Sequence, residues 1–248
     1  MRKSVIIRGC ICAGCVICSF LSLSKINTIN QYYKQEQKLH VELMEYRPAE
    51  QEEPKEEDKT DAVTNQSVLD LQAVNPDAAG WITIPGTIID YPFVWAADYD
   101  QYLRTDIYHQ ESVSGTIFID YRCDRNFKDF NTILYGHNMD NGSVFGVIPQ
   151  YRDQEFFNGH KKAYIYLPHQ NIEAEVAACL VVDAGDEIIY GTHDTVGERQ
   201  MFIQKVREST KENGESDFSA NDRFITLSTC DYSFTGARSV LILKVLEN

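Results

Sequence analysis

The chain predicts a mainly β domain, a closed barrel or a sandwich, carried behind an apolar N-terminal segment. Three observations predict it. From Trp81 onward, short runs rich in Ile, Val, Thr, Tyr and Phe recur with turn signals between them. One longer run with helical spacing interrupts them late in the chain. An acidic stretch punctuated by Pro48 and Pro54 separates the domain from the N-terminus.

The elements follow in order. Arg2 and Lys3 precede an apolar run at residues 5–23, in which Arg8 is the one charge. Nineteen residues approach the span of a bilayer core, and Arg8 can snorkel to its edge. The expectation is an uncleaved anchor over 1–25 with its basic end in the cytoplasm and all that follows outside. A cleaved signal peptide is the alternative. Residues 26–46 are polar and helix-compatible, a stalk. Glu50, Glu52, Glu53, Glu56, Glu57 and Asp58 cannot bury a core, so 26–64 ends as a flexible spacer. The folded domain is expected over 65–248. It opens with a short helix at 67–71 that stops before Asn75-Pro76. Strands are expected at 81–84, 88–95, 116–119, 132–135, 163–167, 172–183, 223–229 and 239–246. The helix is expected at 198–212, with Phe202, Val206 and Thr195 at helical spacing.

Charge narrows the function. Four of the 23 bases lie in the first 25 residues, leaving 19 against 37 acids, a net −18 over the remainder. Such a domain repels phosphate backbones, so nucleic-acid binding is excluded. Of seven cysteines, Cys10, Cys12, Cys15 and Cys18 lie in the apolar run and read as small apolar residues. Cys123, Cys179 and Cys230 are an odd set, so at least one thiol is free or pairs between chains. The histidines outside the candidate site, His40, His109, His160, His169 and His193, lack paired ligands at metal spacing. No metal and no cofactor are expected.

The chemistry gathers at strand ends. Thr226-Leu227-Ser228-Thr229-Cys230 runs as a strand into a cysteine, with Cys230 on the face of Ser228, Thr226 and Phe224. Alone, a free cysteine is most often buried structure. Residues 131–135 form a second strand that ends in Gly136-His137. An imidazole beside a thiol favours the nucleophilic thiolate and can shuttle protons to and from amines. Arg238 opens the last strand, eight residues after Cys230 across a hairpin-like connection. Its guanidinium is always charged and donates in a fork, which suits a substrate carbonyl or an oxyanion.

Thr-Leu-Ser-Thr-Cys230, the later Arg238 and the upstream Gly-His137 together resemble the sortases. Asn75-Pro76-Asp77, Gly80-Trp81-Ile82, Ile84-Pro85-Gly86-Thr87 with Ile89-Asp90-Tyr91-Pro92, and Gly115-Thr116-Ile117-Phe118-Ile119-Asp120-Tyr121-Arg122 resemble the class B subgroup, as does the long helix before the nucleophile strand. The resemblance spans residues 68–246. It implies an eight-stranded sortase-type β-barrel with an N-terminal helix and a long helix before the nucleophile strand. It implies a cysteine transpeptidase: Cys230 attacks the Thr carbonyl of a C-terminal sorting signal on a secreted protein, and a peptidoglycan precursor amine resolves the thioacyl-enzyme. His137 is then the acid and base, and Arg238 the substrate or oxyanion clamp. Class B members commonly read an Asn-Pro-x-Thr-Asn-like signal, often on haem-uptake proteins, and some read Pro-x-Thr-Gly.

Ser228, Thr229 and Asp231 are the expected substrate-binding neighbours. Thr229 offers its hydroxyl or backbone to the oxyanion. Asp231 is read as orienting His137, as binding substrate, or as a solvated loop acid. Cys179 reads as core and Cys123 as a bystander, with a disulfide between them left open. Two further readings of the whole remain beside transpeptidation: a hydrolytic cysteine peptidase, and a wall-associated binding domain with Cys230 structural. The order His before Cys counts against a papain-like fold.

Overall fold

The computed structural model describes residues 2–49, 63–209 and 218–246. The chain forms two compact units, Met1–Glu42 and Leu43–Asn248. The first consists of helix α1 (Arg2–Leu43). The apolar run lies on α1, but the side chains of residues 2–16 fall outside the described ones. Among the described residues no helix is long and apolar enough to cross a membrane. The expected acidic spacer also falls largely outside, at 50–62.

The second unit starts with a 3-10 turn at Met44–Tyr46, followed after the spacer by α2 (Gln66–Val74). Eight strands then follow: β1 (Ala78–Thr83), β2 (Asp90–Trp95), β3 (Ile117–Ile119), β4 (Asn131–Tyr135), β5 (Lys162–Leu167), β6 (Gln170–Asp183), β7 (Phe224–Cys230) and β8 (Ala237–Val245). They close into a barrel in the order β1-β2-β3-β4-β7-β8-β6-β5. The expected eight-stranded sortase barrel is the fold observed. The pairs β2–β3 and β4–β7 are parallel, and the other pairs are antiparallel. Parallel pairs require long connections. One is the loop at 96–116; the other carries β5, β6 and the helices α3 (Gln154–Gly159), α4 (Glu187–Tyr190) and α5 (Val196–Ser209).

Apolar alternation drives the closure. Trp81, Phe93, Ile82, Leu134, Leu227 and Leu241 are fully buried. Trp81 Nε1 finds its partner at Asp90 Oδ1, 2.6 Å away, and Arg47 Nε donates to Asp90 Oδ2 at 2.6 Å. A second cluster lies under the late helices, where Phe202, Ile203 and Val206 of α5 and Ile189 of α4 pack on Phe130 and Phe224. This explains why Phe224, Thr226 and Ser228 are buried although they point out of the barrel interior: α4 and α5 cover them. Thr195 is not on the packing face of α5, as its spacing suggested. It caps the helix: its N–H donates to Glu198 Oε2 at 2.8 Å, and Glu198 N–H donates back to Thr195 Oγ1 at 3.3 Å. The short helices α3 and α4 and the 3-10 turn at Ile148–Arg152 were not anticipated.

Candidate active site

Strand register brings the three expected catalytic residues to one level. β7 lies between β4 and β8. On one side, Cys230 pairs directly with Arg238 across the antiparallel ladder. On the other, the parallel ladder ends at Tyr135 opposite Ser228, and Gly136 N–H donates to Ser228 O at 3.1 Å. Continued two residues, that register sets His137 beside Cys230. Asn138 fixes the junction by donating from Nδ2 to the Cys230 carbonyl at 2.8 Å. Gly136 is needed for this approach, because a Cβ there would come within 2.7 Å of Phe145 Cδ2 and 2.9 Å of Val144 Cγ1.

All three residues line one cleft of about 830 Å³. Tyr99 and Leu103, from the loop at 96–116, form one wall. Residues 184–192, including α4, form the other. Cys230 is partly exposed at its base, as a nucleophile must be. Arg238 Nη1 donates to the Ala237 carbonyl at 3.0 Å, which leaves the rest of its fork for a ligand. His137 Nε2 sits 2.7 Å from the Leu103 carbonyl oxygen.

The expected neighbours divide. Thr229 lines the cleft, and its buried Oγ1 has no protein partner. Ser228 also lines it, yet its hydroxyl is taken by Tyr190 Oη at 2.8 Å. It supports Tyr190 on α4. Asp231 is not brought into the cleft. It is 8% exposed, paired with Arg152 Nη2, and accepts from Ser239 Oγ at 2.6 Å and Ser233 N–H at 2.8 Å. Burial alone would raise the pKa of this carboxyl. The hydrogen bonds from Ser233 and Ser239 and the Arg152 charge outweigh it and hold Asp231 at about 2. Its contacts hold the hairpin that carries Cys230 and Arg238, so of its three readings neither the partner of His137 nor the solvated loop acid is what the structure places there.

A polar knot beside the cleft had no role assigned from sequence. Asp120, fully buried, accepts from Arg122 Nε at 2.9 Å and Nη2 at 2.7 Å, from Tyr135 Oη at 3.0 Å and from Tyr99 Oη at 3.1 Å. Burial opposes its charge, but the Arg122 hydrogen bonds prevail and keep its pKa low. Burial and the Asp120 charge push Tyr99 up to about 12, so the phenol stays a neutral donor. Arg122 Nη2 also donates to the Tyr190 carbonyl at 3.1 Å, tying the far wall to the knot. The Asp-x-Arg spacing directly after a strand was the available signal. Cys123 and Cys179 are free thiols, so the disulfide left open does not form. Burial pushes each to about 12, which leaves them inert at neutral pH.

No family model matches the chain. Comparison with individual proteins is decisive. Sortase B of Listeria monocytogenes is 36% identical over 162 residues, which span 65% of this chain and 66% of that relative. A solved structure of sortase B from Listeria monocytogenes aligns with TM-score 0.63 at 36% identity, covering 71% of this chain and 98% of that one. This chain belongs to the class B sortases. Sortase B from Bacillus anthracis in complex with AAEK2 aligns with TM-score 0.75 at 30% identity, covering 87% of this chain and 98% of that one. The sortases are cysteine transpeptidases of the cell envelope.

Proposed function

We propose that this sortase is a membrane-anchored transpeptidase that joins secreted proteins to peptidoglycan, with Cys230, His137 and Arg238 as its catalytic residues. Cys230 Sγ attacks the Thr carbonyl of a C-terminal sorting signal while its proton moves to His137. The tetrahedral oxyanion accepts from the Arg238 fork. As the peptide bond after Thr breaks, His137 returns the proton to the leaving amine and a thioester remains on Cys230. A peptidoglycan precursor amine then attacks the thioester. Its proton passes through His137 to the departing sulfur, and a new amide forms. The observation that carries this reading is that Cys230, Arg238 paired with it across β7–β8, and His137, two residues past the end of β4, line one cleft. The anchor reading rests on the apolar run at 5–23 behind Arg2 and Lys3, which would leave the catalytic domain outside the cell.

Incubation with Asn-Pro-x-Thr-Asn-like and Pro-x-Thr-Gly peptides, with and without oligoglycine, tests the reaction. Amine-dependent ligated product is expected. Cleavage indifferent to the amine would make the chain a hydrolytic peptidase instead. Fractionation tests the anchor: the full chain is expected in the membrane fraction and accessible to external protease.

A further inference from the structure

The group that holds His137 is a peptide carbonyl. A carbonyl oxygen only accepts, so the 2.7 Å contact between His137 Nε2 and Leu103 O requires the proton to sit on Nε2. In the neutral ring Nδ1 then keeps the lone pair. In thiol and serine enzymes a third group sets the tautomer of the working imidazole. Asp231, the acid beside Cys230 in sequence, is committed to Arg152, Ser233 and Ser239.

The Leu103 carbonyl is itself strapped in place. Tyr102, fully buried, donates from Oη to Asp77 Oδ2 at 2.8 Å and accepts from Asn75 Nδ2 at 3.0 Å. Asn75, also fully buried, gives a second hydrogen bond to Ile107 O at 2.9 Å. The Tyr102 carbonyl accepts from Thr116 N–H at 3.0 Å. Gly115, at φ +58°, lies against both the Tyr102 and the Leu103 carbonyls. A Cβ there would come 2.5 Å from Tyr102 O and 2.6 Å from Leu103 O. Burial pushes the Tyr102 phenol up to about 12, so it remains a donor across the working pH range. A loop of about twenty residues without regular structure is ordinarily mobile or functional. Here the C-terminal end of the 96–116 loop and the residue that closes α2 converge on Tyr102, the residue directly before Leu103.

We propose that Asn75, Asp77 and Tyr102 are positioning residues. Through the Leu103 carbonyl they hold His137 as the Nε2–H tautomer, so that Nδ1 is the atom that exchanges protons with Cys230 and with the amines. When Nδ1 takes the thiol proton, the Nε2–H to Leu103 O hydrogen bond becomes charge-assisted and stronger, which supports the imidazolium at the moment it is needed. The inference rests on His137 being the acid and base.

Nitrogen-15 NMR of the histidine-labelled full chain tests it, with the His137 signals assigned by their loss in His137→Ala. At a pH where the ring is neutral, the native protein is expected to show a pyrrole-type Nε2 and a pyridine-type Nδ1. Tyr102→Phe keeps the buried ring and removes the hydroxyl. It is expected to average the two signals and to lower kcat by roughly 10-fold or more, with KM unchanged, the scale for removing a group that orients a working imidazole. Replacing the Leu103–Arg104 amide by an ester weakens the acceptor without touching any side chain, and the same signature is expected there. A native Nδ1–H tautomer would overturn the proposal. So would an ester variant with unchanged His137 signals and unchanged kcat. Full turnover by His137→Ala would instead remove the acid and base assignment and leave the tautomer measurement standing.

Discussion

In the proposed reaction Cys230, His137 and Arg238 contribute differently, and substitution separates them. Cys230→Ala and His137→Ala remove the nucleophile and the proton carrier, so turnover is expected to vanish while circular dichroism and Tm stay near those of the parent. Arg238→Ala removes one set of oxyanion donors, and kcat is expected to fall by about 10²–10³. Arg238→Lys restores charge without the fork and is expected to recover only part of that loss. A kinetically silent Arg238→Ala would end the clamp assignment. At this scale the sequence is informative where a residue closes a strand. Cys230, Gly136-His137 and Arg238 each stand at or beside a strand end, and all three line one cleft. Asp231 shows the limit. Adjacency suggested the cleft, yet the alternation that sets Cys230 on one face sends the next residue to the other, toward Arg152. That partner lies 79 residues away, and no local pattern announces it. Leu103 acts through its backbone, which side-chain chemistry cannot reveal.

The strands were legible as elements because β-branched and aromatic runs between turn residues mark them, and α5 because its apolar positions repeat. The four-residue α4 is too short for periodicity. Its one signal is Asp186, which caps it by accepting from Ile188 N–H at 3.1 Å. The wall that α4 forms depends on His193, which sequence left as one more unpaired histidine. It is 2% exposed, packs between Phe130 and Phe202, and holds Ile188 O from Nε2 at 2.7 Å. Its backbone φ is +58°. Burial lowers its pKa below the ordinary 6.5, against smaller contributions from the Ile188 carbonyl, Glu198 and Asp194. The sign follows from linkage. The unfolded chain takes up this proton first as pH falls, so stability declines below pH 6.5 until the folded ring titrates too. Tm is expected to drop between about pH 7.5 and about pH 5, a range in which an ordinary imidazole changes charge. His193→Gln is expected to flatten that slope. Asp231 contributes in a separate window. Its pKa is depressed from 3.8 to about 2, so its share of stability persists above 3.8 and is lost below it. An equal slope in His193→Gln would show that another group carries the effect.

Strand order belongs to the whole molecule, and residue patterns alone do not give it: the short connection places β8 beside β7, but nothing local says that β4 flanks β7 on the other side. The family resemblance supplied the barrel, and the parallel β4–β7 pair is what turns a separation of 93 residues between His137 and Cys230 into adjacency. The start of the catalytic unit is also a property of the whole. Composition set it at residue 65, where the acidic stretch ends, whereas the compact unit starts at Leu43, which is 6% exposed. Beyond it, Arg47 Nε meets Asp90 Oδ2 at 2.6 Å, on the carboxylate that also accepts from Trp81 and Thr83 inside the barrel wall. With Arg47 removed, Asp90 keeps two neutral donors and loses its counter-charge, a change on the order of 1 kcal/mol for a half-buried pair. Two truncations measure this. Residues 43–248 are expected to keep the parent's Tm and kcat on sorting-signal peptide. Residues 65–248 are expected to unfold several degrees lower, as about 1 kcal/mol implies for a domain of this size, with kcat unchanged because Asp90 lies outside the cleft. Equal Tm values would show that residues 43–64 belong with the spacer, as composition suggested.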